Sequence, residues 1–252
     1  MTRDLVWDGC LNVRDLGGLP TEDGSVTRFG SVVRADNVRK LSEDGWTAVA
    51  EYGVGTIVDL RLADELAEDP PRELDLDVVH VPVFDDDPAF WAALDARLAR
   101  LDAVGHKREA YLATLRRCRR RFGAAFAAIA NARPGVVVVH CAGGKDRTGL
   151  VSALLLRNAG VGIDDIAADY ALAEERLAEL RAAYLAAATD EADRELRVRL
   201  SGAPAAAMRG VLEELDRHGG VAGYLREAGV DDETLARAAR DCGTGHEPAR
   251  AA

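Results

Sequence analysis

Three features of this 252-residue sequence predict an α/β fold with a central, mostly parallel sheet flanked by helices. Short β-branched runs alternate with longer stretches of helical periodicity, an order that builds parallel strands joined by crossover helices. The purest run, Val136-Val137-Val138-Val139, follows Pro134-Gly135 and reads as a buried strand. A polar, Gly-rich segment then leads into the apolar stretch Leu150 to Leu156, which reads as a helix, so strand, tight loop and helix N-terminus follow one another. The length suits one large core, and residues 1–252 are read as a single domain.

Along the chain, residues 1–30 read as an irregular N-terminal segment, with Gly9, Gly17-Gly18-Leu19-Pro20 and Asp23-Gly24 as turn signals. Ser31 to Arg34 is a short strand, Ser42 to Tyr52 a helix capped by Ser42, and Thr56 to Leu60 a buried strand after Gly53 and Gly55. Asp77 to Val83 is the next strand, broken by Pro82, and helical periodicity fills residues 88–131. Beyond Gly160-Val161-Gly162, Asp164-Asp165 starts a long helix running through Tyr170, Leu177 and Tyr184, with charges at i, i+4 spacing. A break at Ser201-Gly202-Ala203-Pro204 precedes helices at about 205–217, 220–228 and 232–241.

Composition narrows the partners. A net charge of −11 argues against nucleic acid and against simple adsorption to anionic membranes, so any pocket for an anion must be locally electropositive. The N-terminus has no apolar stretch of signal-peptide length and no later segment resembles a membrane span, which makes the cytoplasm the expected location, with export by a non-classical route left open. Cys10, Cys118, Cys141 and Cys242 are scattered, with neither metal-ligand spacing nor a disulfide framework; no metal and no cofactor is expected.

The chemistry concentrates in His140-Cys141-Ala142-Gly143-Gly144-Lys145-Asp146-Arg147-Thr148-Gly149. A Gly-rich turn at a helix N-terminus points backbone N–H groups and the positive end of the helix dipole at an anion, so residues 142–147 are a candidate phosphate cradle. The same field favours the thiolate of Cys141, which makes it a candidate nucleophile. Arg147, five residues further on, carries a planar fork able to bond two phosphoryl oxygens at once. A Walker phosphate loop does not fit, because the position five before Gly144 is Val139 and Asp146 follows Lys145. A sulfur-transferring cysteine loop lacks the Arg147-Thr148-Gly149 ending, and a purely structural cysteine leaves the whole decapeptide unexplained. Lys40, Lys107 and Lys145 are the only lysines, so a lysine inside the loop stands out from the Arg-rich background.

This His-Cys-x5-Arg-Thr-Gly pattern resembles the signature of the cysteine-dependent protein tyrosine phosphatases, in the form of the bacterial, mycobacterial PtpB-like branch. Asn12-Val13-Arg14-Asp15-Leu16-Gly17-Gly18, Val33-Arg34-Ala35-Asp36, Val58-Asp59-Leu60-Arg61 and Gly219-Gly220-Val221-Ala222-Gly223-Tyr224-Leu225 resemble the same branch, so the likeness spans nearly the whole chain. It implies a protein-tyrosine-phosphatase-like fold with a helical lid-like region, expected at residues 172–202, followed by C-terminal helices at 203–242. It also implies a metal-independent phosphomonoesterase that works through a cysteinyl-phosphate on Cys141.

Such an enzyme needs an acid for the leaving oxygen. Val83-Phe84-Asp85-Asp86-Asp87-Pro88, directly after a strand, resembles the family's acid loop, with Asp85 nearest the matching position; Asp86, Asp87 and Asp146 are its rivals, and an acidic cap on the following helix is the bland reading. His140 is expected to support the loop, and the Thr148 hydroxyl to donate to the thiolate. Asp59 and Arg61, at a strand's C-terminal end, either border the site or close a loop as an ion pair. Arg14 and Asp15 either reach the phosphate or form a buried ion pair stapling the N-terminal segment, the latter being expected. Arg116-Arg117-Cys118-Arg119-Arg120-Arg121 reads as a solvated helix face, with attraction of phosphoinositide headgroups or acidic peptides as the alternative.

The expected substrates are phosphotyrosine proteins, with phosphoserine, phosphothreonine or phosphoinositides as a broader range suggested by Lys145 and Asp146. From a different class, an inactive phospho-ligand binding module would keep the cradle without turnover.

Overall fold

A computed structural model describes residues 2–69 and 76–243. The strands are β1 (Arg14–Asp15), β2 (Val32–Ala35), β3 (Val54–Asp59), β4 (Asp77–His80) and β5 (Val136–His140), in the sheet order β1-β2-β5-β3-β4. All pairings are parallel except β1 with β2, as the alternation of strand and helix signals requires. The helices are α1 (Glu43–Glu51), α2 (Ala63–Glu68), α3 (Pro88–Leu98), α4 (Ala103–Arg117), α5 (Arg119–Ala130), α6 (Asp146–Asn158), α7 (Ile163–Arg176), α8 (Ala178–Ala186), α9 (Glu191–Ser201), α10 (Ala205–Arg217), α11 (Gly220–Glu227) and α12 (Asp232–Cys242). None is long and apolar enough to cross a membrane.

Period-two alternation divides the sheet's side chains between two cores. Val32, Val58, Val137 and Val139 face the larger cluster, built with Leu115, Phe122 and Phe126 of α4 and α5, Leu150 and Leu154 of α6, and Tyr170 of α7. Val33, Ala35, Ile57, Val136 and Val138 face a smaller one with Trp7, Trp46 and Val49. The uninterrupted valine run of β5 is therefore apolar on both faces, and β5 is the central strand.

The structure corrects several boundaries. Residues 1–30 are not wholly irregular, since β1 (Arg14–Asp15) pairs with β2, and β3 starts at Val54, taking in Gly55, expected to precede it. The helical region 88–131 is three helices, divided by Asp102, which caps α4, and by Cys118, where α4 ends and α5 begins. The long helix expected from Asp164 breaks at Leu177; no glycine or proline marks the break, and Leu177 packs partly buried against the main core while α8 departs from it. The strand expected over Asp77–Val83 ends at His80, because Pro82 has no N–H to extend the ladder. The helix expected at Leu150 begins four residues earlier, at Asp146. A polar first turn is compatible with helix, and only the apolar run signals burial. The N-cap of α1 is as expected, the Ser42 hydroxyl accepting from Gly45 N at 3.2 Å.

Candidate active site

Strand register places the site. Ala35 and Asp59 flank His140 across the sheet, so β2, β5 and β3 end side by side and the loop after β5 opens between its two neighbours. The crevice beyond the carboxyl ends of central parallel strands is where open α/β sheets hold ligands.

Cys141 stands where β5 ends, with only 2% of its surface exposed. The Thr148 hydroxyl donates to its Sγ at 3.1 Å from the first turn of α6. The His140 ring lies between the Cys141 carbonyl, 3.4 Å from Nδ1, and Asp59 Oδ2, 3.4 Å from Nε2. Asp59 in turn accepts from Arg61 Nε at 3.0 Å and Nη2 at 2.8 Å, and Arg61 reaches Asp69 at 3.1 Å. Burial pushes the Asp59 carboxyl up, but bonds from His140 and Arg61 outweigh it and hold the acid far below its usual range. Asp59 and Arg61 thus join both expected roles: an ion pair that also fixes the histidine behind the cysteine.

In the loop, Gly144 has φ +62°, and a Cβ there would meet Ala35 O at 2.5 Å and Asp36 N at 2.7 Å. Gly143 is open, its nearest neighbour being Leu177 Cδ1 at 3.9 Å. Gly144→Ala should therefore lower stability by about 2 kcal/mol, roughly 4–8 °C in thermal unfolding, and Gly143→Ala by much less. Equal melting temperatures for the two variants would contradict this packing.

Arg147 leaves the first turn of α6 with both terminal nitrogens on Glu65, one at 2.7 Å to Oε1 and a shorter contact to Oε2. Its guanidinium lies over the Phe84 ring, 5.5 Å from the centroid. Glu65 also accepts from Leu62 N at 2.8 Å. Burial raises the Glu65 carboxyl, and the bonds from Arg147 more than reverse this, keeping it below the ordinary value. Neither α2 nor Glu65 was legible in the sequence; an acidic residue shortly after the Asp59-Leu60-Arg61 strand end was the available signal.

The acidic run divides its work. Asp87 caps α3, accepting from Phe90 N at 3.0 Å, and pairs with Arg117 Nη2 at 2.7 Å. Asp85 binds Arg117 Nε through one oxygen, while its other oxygen is buried with no hydrogen-bond partner among the described residues. Asp86 is exposed. Arg121 Nη1 donates to Phe84 O at 2.6 Å, and Arg119 pairs with Glu227 at 2.7 Å. The arginine cluster is thus not simply a solvated face: two of its members hold the acidic loop.

Asp146 accepts from Tyr111 OH at 2.5 Å and Lys107 Nζ at 3.1 Å, with Lys145 Nζ at 3.6 Å. Burial pushes its carboxyl up, yet Lys107, Lys145 and the Tyr111 hydroxyl win and bring it to about 2. Lys145 also donates to Ser201 O at 2.7 Å, and Lys107 to Leu200 O at 2.6 Å, so two of the three lysines tie the loop to the end of α9. A cavity of about 280 Å³ beside Arg147 is walled by Phe84, Trp91, Tyr111 and Leu200.

The N-terminal staple takes a different form from the expected one. Arg14 and Asp15 do not pair; Arg14 binds Asp169 of α7 at 2.9 Å, and Asp15 accepts from Gly17 N at 2.6 Å and Gly30 N at 2.8 Å. Adjacent strand residues point to opposite faces, which separates the two side chains.

The arrangement gathers a buried sulfur with a hydroxyl donor, a Gly-rich loop at a helix N-terminus and a two-pronged cation. A family model described as "Tyrosine phosphatase family" matches residues 5–241. The chain is 29% identical to a tyrosine-protein phosphatase of Nostoc commune over 219 residues, covering 81% of this chain and 71% of that protein. It is 28% identical over 268 residues to the triple specificity protein phosphatase PtpB of Mycobacterium tuberculosis, covering 91% of this chain and 95% of the relative.

Proposed function

The chain belongs to the tyrosine phosphatase family and is a phosphatase; we propose that it dephosphorylates phosphotyrosine proteins through a cysteinyl-phosphate on Cys141, without a metal, within one phosphatase domain. The observation that carries this reading is the Thr148 hydroxyl on a buried Cys141 sulfur at the mouth of a glycine loop. In the first displacement the thiolate attacks phosphorus in line, forming the S–P bond as the ester P–O bond breaks. Loop amides and the Arg147 fork take the equatorial oxygens, and a carboxylic acid protonates the leaving phenoxide. Water then attacks the cysteinyl-phosphate, losing a proton to the same carboxylate and returning the thiolate and inorganic phosphate.

Asp85 is our choice for that acid. Its neighbour Phe84 stacks on Arg147, which puts the acidic loop beside the clamp, whereas Asp146 is held ionised by two ammonium groups and has no proton to give near neutrality. Release from Arg117 would free the Asp85 carboxyl to reach the leaving oxygen. Asp85→Asn should lower kcat by roughly 10²–10³-fold on phenyl phosphate, and by less on p-nitrophenyl phosphate, whose leaving group needs little protonation. Equal losses on the two esters, or a larger leaving-group effect in Asp146→Asn, would transfer the role.

The aromatic walls of the cavity beside Arg147 suit the ring of phosphotyrosine. A second reading, a range extending to phosphoserine, phosphothreonine or phosphoinositides, is favoured by Lys107 and Lys145 at the loop and by the name of the mycobacterial relative. Helices α8 and α9, which contain no buried residue and expose Leu180, Tyr184 and Val198, are the proposed lid, fastened through Leu200 and Ser201 to the two lysines. The direct test is turnover by the full chain in EDTA and reductant on phosphotyrosine peptide, phosphoserine peptide and phosphoinositide vesicles. Fastest turnover on phosphotyrosine supports the first reading, preference for the lipid supports the second, and no turnover supports the binding module.

A further inference from the structure

Three peptides of the loop turn their carbonyls outward, and each is held by a group from elsewhere in the chain. Ala142 O accepts from Asn37 N at 3.1 Å. Gly143 O accepts from Asn12 Nδ2 at 3.0 Å, and Gly144 O from Arg34 Nη2 at 2.9 Å. A trans peptide directs its N–H opposite to its C=O. The three bonds therefore set the direction of the Gly143, Gly144 and Lys145 amides, which face away from their anchors.

The two side-chain anchors lead to one residue. Asn12 accepts from Arg14 Nη1 at 2.7 Å, and Arg14 donates to Asp169 Oδ1 at 2.9 Å and to Asp169 O at 2.6 Å. Arg34 reaches Asp169 Oδ2 directly at 2.6 Å. Arg3 completes a cluster of three arginines on a single carboxylate. Asn12, Arg14, Arg34 and Asp169 are all essentially inaccessible to solvent. Burial pushes the Asp169 carboxyl up, but the three arginines outweigh it and hold it ionised. A buried charge cluster of this kind gains little stability over apolar packing, so its presence calls for a reason other than stability.

We propose that Asp169 is a positioning residue for the phosphate cradle: through Arg34, and through Arg14 and Asn12, it holds the Gly144 and Gly143 carbonyls outward and so aims the loop amides at the phosphoryl oxygens. The proposal rests on the phosphate-binding role given to the loop above. Amides fixed in advance are worth most where charge builds up in the transition state, so the network acts on that state more than on folding.

The test uses the full chain with three substitutions. Arg34→Lys keeps the charge and one bond to Asp169 but cannot also reach Gly144 O; Asn12→Ala removes the donor to Gly143 O without changing charge; Asp169→Asn releases both branches. Three quantities are read: the inhibition constant of vanadate, the ratio of inactivation rates by anionic iodoacetate and neutral iodoacetamide, and the melting temperature. The ratio isolates anion attraction by the cradle from the reactivity of the sulfur.

With one backbone hydrogen bond lost, vanadate inhibition should weaken roughly 5- to 10-fold in Arg34→Lys and in Asn12→Ala, the iodoacetate preference should fall by a similar factor, and melting should fall by several degrees while the variants stay folded. Asp169→Asn should show a larger loss of vanadate affinity than either. Unchanged vanadate inhibition and unchanged alkylation preference in folded Arg34→Lys and Asn12→Ala would overturn the proposal. So would failure of all three variants to fold, which would make the network purely structural. A wild-type chain that neither turns over phosphate esters nor responds to vanadate would instead overturn the phosphatase site assignment itself.

Discussion

Cys141→Ser is expected to lower kcat on p-nitrophenyl phosphate by about 10⁴-fold or more while leaving the fold and the binding of phosphotyrosine peptide nearly intact. The argument is local. The sulfur is 2% exposed and packs in the main core, and a hydroxymethyl group fits that volume without a clash. An alcohol ionises far less readily than a thiol, and a hydrogen bond from the Thr148 hydroxyl, 3.1 Å from the sulfur, is not sufficient to ionise a serine at neutral pH. His140 is not placed to serve as the base, being turned toward Asp59 and the loop backbone. The cradle and Arg147 remain, so the variant should bind substrate and release no product. Turnover measured in EDTA with reductant, beside peptide binding by the same preparation, checks both halves. Substantial turnover by the serine variant would refute the cysteine mechanism, and loss of binding together with turnover would mean that the substitution had damaged the loop.

Local signals carried the fold far. The C-terminal helices α10, α11 and α12 fall within one or two residues of the ranges read from turn residues and caps, because Pro204, Gly219, Gly220 and Asp231 stand at their starts. The six-residue helix α2 is too short for periodicity to register. In the site, Cys141, Arg147 and Thr148 could be read together because one short loop and one helical turn place all three. Glu65 lies 82 positions from Arg147, and Asp169 lies 155 from Arg14. Their pairing is decided by how β2, β3 and α7 converge on the end of β5, which a linear reading does not contain. Burial and ion pairing of Arg14 are legible in its sequence context, and its partner Asp169 is not, for the same reason.

The second large effect concerns the clamp. Arg147→Lys should reduce kcat/KM by about 10³-fold, since a single ammonium cannot bond two equatorial oxygens while leaving the in-line path open. Glu65 gives this expectation a second, more discriminating form. It holds the two terminal nitrogens of the guanidinium, and it does so from a carboxylate kept ionised by that contact. If Glu65 orients the fork, Glu65→Gln lowers kcat/KM in the arginine enzyme and has little further effect once Arg147 is lysine, because the two residues act as one unit. If Glu65 mainly competes with the substrate, Glu65→Gln tightens phosphate inhibition instead. The Phe84 ring beside the guanidinium favours orientation: the fork is held by an anion at its terminal nitrogens and by an aromatic ring 5.5 Å away. An arginine so constrained loses little side-chain freedom when phosphate arrives, and this saving is unavailable to a lysine in the same place. The loss in Arg147→Lys should consequently fall on kcat as well as KM, and a change confined to KM would show that the charge alone, and not the fork, serves the reaction.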